Sequence, residues 1–236
     1  MRIRSFFALP ARPRSAALLV SLFLCAFSAA RGEDAEAVLA RLRAAQADLV
    51  DLSATFVHTK HAPLFDEEIT SRGRLFYRRP DLLLLRYEEP DSSRVWIDGG
   101  RIWLYYPELK QAHLYAIDPE STLPGLFLGL RGTLEGLEEK FLVETEDGAR
   151  EKGFTTDVLI LRPQEGTDLY GEVDHVRVVI RREDGLPLRT EFQEASGDLT
   201  RFTFDDFHRN PGLDESIFRF VPPPGTEVFE SEGETW

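Results

Sequence analysis

Cysteine is almost missing from this chain. The one present, Cys25, lies in an apolar stretch near the N-terminus. Acylation there calls for a small residue just before the cysteine, and Leu24 occupies that place. If Cys25 departs with a leader, the exported chain has no disulfide to staple it and must be held by its core. About 200 residues are enough for one such core. Long apolar runs are missing too. Ala16 to Phe27 is uncharged, which fits the ~7–15 residues of a signal h-region and falls short of the ~20 needed to span a bilayer. Arg2, Arg4, Arg12 and Arg14 precede it, and Ser28 and Ala30 supply small residues for cleavage. Residues 1–30 are therefore read as a signal peptide and 31–236 as a single soluble domain, exported to the periplasm and starting near Arg31.

Positive charge is scarce. The formal net charge is −13, and removing residues 1–30, which carry four arginines and no acid, makes it more negative. Such a chain is repelled by phosphate polymers and anionic bilayers, so nucleic acid is not an expected partner. Catalytic signatures are missing as well. There is no Gly-x-Ser-x-Gly elbow, no phosphate-cradling glycine loop and no cysteine nucleophile. His58, His61, His113, His175 and His208 are scattered. His58 and His61, three apart on a strand, face opposite ways and make poor joint metal ligands. The residues point to a binding protein with no cofactor, no metal and no catalytic group.

What is present is alternation. Asp34 to Asp48 has apolar residues Val38, Leu39 and Leu42, with Leu49 beyond, at helical spacing, and Asp34 stands as its cap. The period then changes to two. Leu52, Ala54 and Phe56 share one face of a strand, and further strands follow at 68–79, 82–88, 94–97, 101–106 and 111–117. Pro80, Pro90-Asp91, Asp98-Gly99-Gly100 and Pro107 punctuate them. Residues 118–139 break the pattern with a helical stripe, Leu126, Phe127, Leu130, Leu134 and Leu137, weakened by four glycines at ~1 kcal/mol each. Strands resume at 141–146, 157–162, 173–182, 187–194 and 199–207. After Phe218 and Phe220, the residues beyond about 226 are acidic and read as a loose tail. The expected fold is mainly β: one strongly curved antiparallel sheet with short helices against its concave face.

The front strands carry more apolar residues than one core face accounts for. A half-solvated antiparallel strand is polar on its outer side, yet Leu82-Leu83-Leu84-Leu85 is apolar on both. Leu75 and Tyr77 share a face, as do Leu83, Leu85 and Tyr87, and as do Trp103 and Tyr105. Two readings stand at this point. Either the helices close the concave face permanently, or they cover a cavity that opens. Arg79 follows Leu75 and Tyr77 by alternation. It either snorkels to water at the strand end or bonds to carbonyls or side chains of the helical cover, since a buried guanidinium must find acceptors.

Gly73-x-Leu75, Arg79-Pro80-Asp81-Leu82, Pro90-Asp91, Asp98-Gly99, Trp103-x-Tyr105, Pro107 and Gln111 form an ordered set. With Phe218-Arg-Phe-Val-Pro-Pro-Pro-Gly225, that set resembles the LolA family of periplasmic outer-membrane lipoprotein carriers. The resemblance implies an incomplete, half-open antiparallel β-barrel with a helical lid over a hydrophobic cavity. It implies cavity-lining roles for Phe56, Leu75, Tyr77, Leu83, Leu85, Tyr87, Trp103 and Tyr105, and a lid-latching role for Arg79. The latch is expected to close on the 121–140 cover, whose apolar face is Leu126, Phe127, Leu130 and Leu134. The implied partners are lipoprotein acyl chains, an inner-membrane ABC transporter as donor and an outer-membrane acceptor, with the carrier acting as a monomer. A lipid-binding envelope sensor and a carrier of another lipid or glycolipid are the alternatives on the same fold.

Overall fold

A computed structural model describes residues 34–98, 100–116, 137–167 and 169–231. Helix α1, Ala35–Ala45, starts where the sequence places it. The Asp34 side chain accepts the Glu36 N–H at 3.3 Å, and Val38, Leu39 and Leu42 form the buried stripe. Strands follow in chain order: β1 Asp51–Ala62, β2 Glu67–Arg78, β3 Leu82–Glu89, β4 Ser93–Asp98, β5 Arg101–Tyr106 and β6 Gln111–Ala116. The short helix α2, Leu137–Lys140, leads into β7 Phe141–Glu146, β8 Arg150–Glu151, β9 Phe154–Pro163, β10 Val173–Arg181, β11 Pro187–Glu194 and β12 Leu199–Arg209. A 3-10 turn, Glu215–Phe218, and β13, Glu227–Ser231, complete the described elements.

The strands form one sheet in the order β13-β6-β5-β4-β3-β2-β1-β12-β11-β10-β9-β7, with β8 paired to β9 at the side. Its end strands, β13 and β7, do not pair, so the barrel is open. The pairing is antiparallel except at β13, which runs parallel to β6. Residues from β2 and β3 on one side and from β9 and β10 on the other meet in one buried cluster with α1. A flat sheet could not bring them together, so the sheet is rolled around that cluster.

The expected loose tail is corrected over residues 227–231, while residues 232–236 lie outside the described residues. Val228 and Phe229 are β-formers, and β6 would otherwise present an edge of unpaired N–H and C=O groups. Glu227–Ser231 fills that edge, with Phe229 stacked on His113 at 5.0 Å. Of the expected cover, Leu126, Phe127, Leu130 and Leu134 lie outside the described residues. Leu137, at the start of α2, is buried in the inner cluster.

Gly73 permits a close approach of the front strands. It pairs with Phe56 on β1 and Tyr87 on β3, and the two rings meet over it, edge to face, at 5.0 Å. A Cβ built at Gly73 would stand 2.1 Å from the Arg86 carbonyl oxygen and 2.9 Å from the Phe56 ring. Gly73→Ala is expected to lower the unfolding free energy by about 1–3 kcal/mol, read from urea melts. An unchanged midpoint would show that the strands part there without strain.

Candidate functional site

The concave face is assembled row by row across the sheet. Leu52, Tyr77, Leu83, Ile97 and Ile102 form one row, and Ala54, Leu75, Leu85, Val95 and Leu104 the next. Phe204, Phe56, Gly73 and Tyr87 form a third. On the far side, Leu159, Leu161, Val176, Val178 and Phe192 complete the wall. Val38, Leu39 and Leu42 of α1, with Leu49, pack against it. Of the residues expected on the wall, Phe56, Leu75, Tyr77, Leu83 and Leu85 lie buried in this cluster, and Tyr87 is packed against it half-buried.

Trp103 and Tyr105 do not join them, which corrects their expected place on the cavity wall. Trp103 pairs with Trp96, and Trp96 with Leu84. Cross-strand partners share a face, so these residues project from the convex side, opposite Leu83 and Leu85. Ile102 and Leu104 take the inward places. The convex aromatic patch is closed by the chain after β12. The Phe220 ring lies 4.5 Å from Trp96 and 5.2 Å from both Trp103 and Tyr105. The Trp96 indole donates to the Ile217 carbonyl at 3.0 Å.

Arg79 sits just past β2, where its backbone N–H donates to the Val50 carbonyl at 2.9 Å. Its guanidinium donates to the carbonyls of Gln46 at 2.7 Å and Ala47 at 3.3 Å. The partner is thus the end of α1, where the sequence reading expected the 121–140 cover. The reason is local: the backbone tie to Val50 sets Arg79 beside the link between α1 and β1. Carbonyls at a helix C-terminus lack intrahelical partners and carry partial negative charge, which suits a cation. Arg209 joins them from β12, donating to the Ala45 carbonyl and to Asp48, and the Gln46 amide donates to the Gly185 carbonyl at 2.8 Å. Further up the helix, Arg41 pairs with the buried Asp157 at 3.0 Å. The helix is therefore tethered by polar ties as well as by its apolar stripe.

The structure gives His58 a defined place that its position in the sequence does not reveal. It stands two residues beyond Phe56 on the same face, stacked on Phe202 at 4.3 Å and hydrogen-bonded through Nδ1 to the Tyr87 hydroxyl at 3.2 Å. Burial, with the charge of Lys60 second, pushes its pKa down to about 4. Burial pushes the Tyr87 phenol up, so it keeps its proton.

The family described as outer membrane lipoprotein carrier protein LolA matches residues 48–221, and the chain belongs to that family. It is 30% identical over 190 residues to the outer-membrane lipoprotein carrier protein of Alkalilimnicola ehrlichii, covering 79% of this chain and 80% of that one. To the carrier of Halorhodospira halophila it is 34% identical over 166 residues, covering 69% and 71%. Among solved structures, an uncharacterized conserved protein from Thermus thermophilus matches with a TM-score of 0.54 at 15% identity, covering 84% of this chain and 100% of that one, a likeness of fold.

Two outcomes follow from these contacts. Arg79→Leu removes charge-assisted bonds that are partly open to water. It is expected to cost about 1–2 kcal/mol and to speed amide exchange in the last turn of α1; unchanged exchange there would detach Arg79 from the helix. For His58, the folded pKa lies below the ordinary value. Its contribution is whole above pH ~6.5 and is lost as the pH falls toward 4, because the unfolded chain takes up the proton first. Between pH 7 and 5 the native protein should lose about 1–2 kcal/mol more stability than His58→Phe. Parallel losses in urea melts would mean that the imidazole is hydrated.

Proposed function

We propose that this chain is an exported carrier that binds the acyl chains of lipoproteins released from the inner membrane and delivers them to the outer membrane. The observation that carries the reading is the continuous apolar inner wall covered by a helix held through side-chain bonds to its end carbonyls, in a chain belonging to the lipoprotein carrier family. An acyl chain is costly to expose: burying a methylene is worth ~0.8 kcal/mol, so one long chain amounts to roughly 10 kcal/mol. Crossing an aqueous compartment needs a shield of this kind. Residues 1–30 serve as the export signal, and 31–236 act as one carrier domain in the periplasm. Among the described residues no helix is long and apolar enough to cross a membrane. An ABC transporter in the inner membrane acts as donor and an acceptor at the outer membrane receives the cargo, the carrier working as a monomer.

In the empty state Arg79 latches α1. In the loaded state those bonds are broken, so capture is opposed by the latch and release is favoured by its re-forming. A two-step transfer assay, from donor membranes to the carrier and then to acceptor membranes, tests both parts. Leu85→Glu places a carboxylate on the inner wall and should cut capture by about tenfold or more while the circular dichroism spectrum stays native. Arg79→Leu should capture at least as well as the native chain and hand over poorly. Unimpaired capture by Leu85→Glu would remove the cavity from this account, and normal handover by Arg79→Leu would remove the latch.

A further inference from the structure

We propose that His58 is the polar anchor of the cavity, donating its Nε2–H to the ester carbonyl at the head of a bound acyl chain. This rests on the carrier reading and assigns the residue that sets how deep the chain sits. Along β1 the inner face passes from buried Phe56 through half-buried His58 to exposed Lys60. An O-acyl lipid has the same profile, an apolar chain ending in a carbonyl and then a polar head. With the chain against Phe56, its carbonyl falls at the level of His58.

The imidazole is held ready for such an acceptor. Its ring is fixed by the stack on Phe202, 4.3 Å away and nearly parallel. Its Nδ1 is taken by the Tyr87 hydroxyl. When tyrosine donates there, the imidazole proton resides on Nε2. That Nε2 is buried and has no hydrogen-bond partner among the described residues. A buried, unfilled donor is uncommon and calls for a reason, and a ligand acceptor supplies one. Lys60 does not compete for the carbonyl, because its ammonium is engaged with Glu194 and Asp198 at 3.8 and 3.9 Å. Burial keeps the imidazole neutral near neutral pH, so no charge is brought against the chain.

The test compares two probes on the full mature chain: a dipalmitoyl-glyceryl-cysteine lipopeptide and its dihexadecyl ether analogue, which lacks the carbonyls. The native protein should bind the ester about five- to tenfold more tightly than the ether. In His58→Phe, which keeps the stack, the ratio should fall to about one, and in Tyr87→Phe it should fall part of the way. Nitrogen-15 spectra of the native protein should show a protonated Nε2 that shifts on adding the ester and stays in place on adding the ether. An ester preference that survives in His58→Phe, a native protein with no preference, or an Nε2 resonance indifferent to the ester each overturns the anchor and leaves the carrier standing. Failure of the native protein to bind either probe overturns the carrier reading itself.

Discussion

A sheet apolar on both faces cannot exist bare in water, and the rest of this molecule is an answer to that constraint. Leu83 and Leu85 point one way while Leu84, Trp96 and Trp103 point the other. The two faces are covered by different means. On the convex side the cover is the chain's own C-terminal segment, fixed by ring packing and by the bond from Trp96 to the Ile217 carbonyl. On the concave side it is α1, which buries one stripe and is otherwise tied by hydrogen bonds and ion pairs. Packing that interlocks many rings is hard to undo in part. A helix end held by a few guanidinium bonds is easier to release.

Arginine carries much of this division in an otherwise acidic protein. Arg79 and Arg209 hold the carbonyls at the end of α1, Arg41 reaches the buried Asp157, and Arg78 bonds the Leu213 carbonyl on the route to the convex side. Asp51 completes that route by accepting the N–H groups of Gly212 at 3.1 Å and Leu213 at 2.9 Å. A guanidinium reaches several acceptors from one planar group and stays charged throughout, so it suits joints between non-adjacent elements.

Much of the fold was legible because period and punctuation agreed. The breaks at Pro80, Pro90 and Asp98 placed β2 to β6 within a residue of their ends, while α1 stops at Ala45, short of the expected Asp48, and β1 runs on to Ala62, past the alternation seen at Leu52 to Val57. The partition of side chains into faces was legible as well. Which face was inward was not, since Trp103 and Tyr105 look as apolar as Leu83 and Leu85. The register between β4 and β5 held the missing link, because it sets Trp103 opposite Trp96 and hence level with Leu84. The partner of Arg79 was out of reach, since a long side chain at a strand end has many acceptors within its radius. β13 was hidden by its acidity: Glu227 and Glu230 read as tail, while the pull of an unpaired edge on Val228 and Phe229 is not written in local composition. His58 escaped because a histidine on an apolar face shows its use only when its neighbours are known.

The course of the chain after β12 bears on how the molecule deforms. From beside β1 it crosses the convex side near β3 and β4, seats Phe220 among Trp96, Trp103 and Tyr105, and at Glu227–Ser231 runs along the β6 edge. It lies around the rolled front strands as a hoop lies around staves. Unrolling the sheet would strip the Phe220 ring from its seat among Trp96, Trp103 and Tyr105. Under the proposed carrier role, adjustment to cargo would then fall to the concave side, where polar ties hold the end of α1.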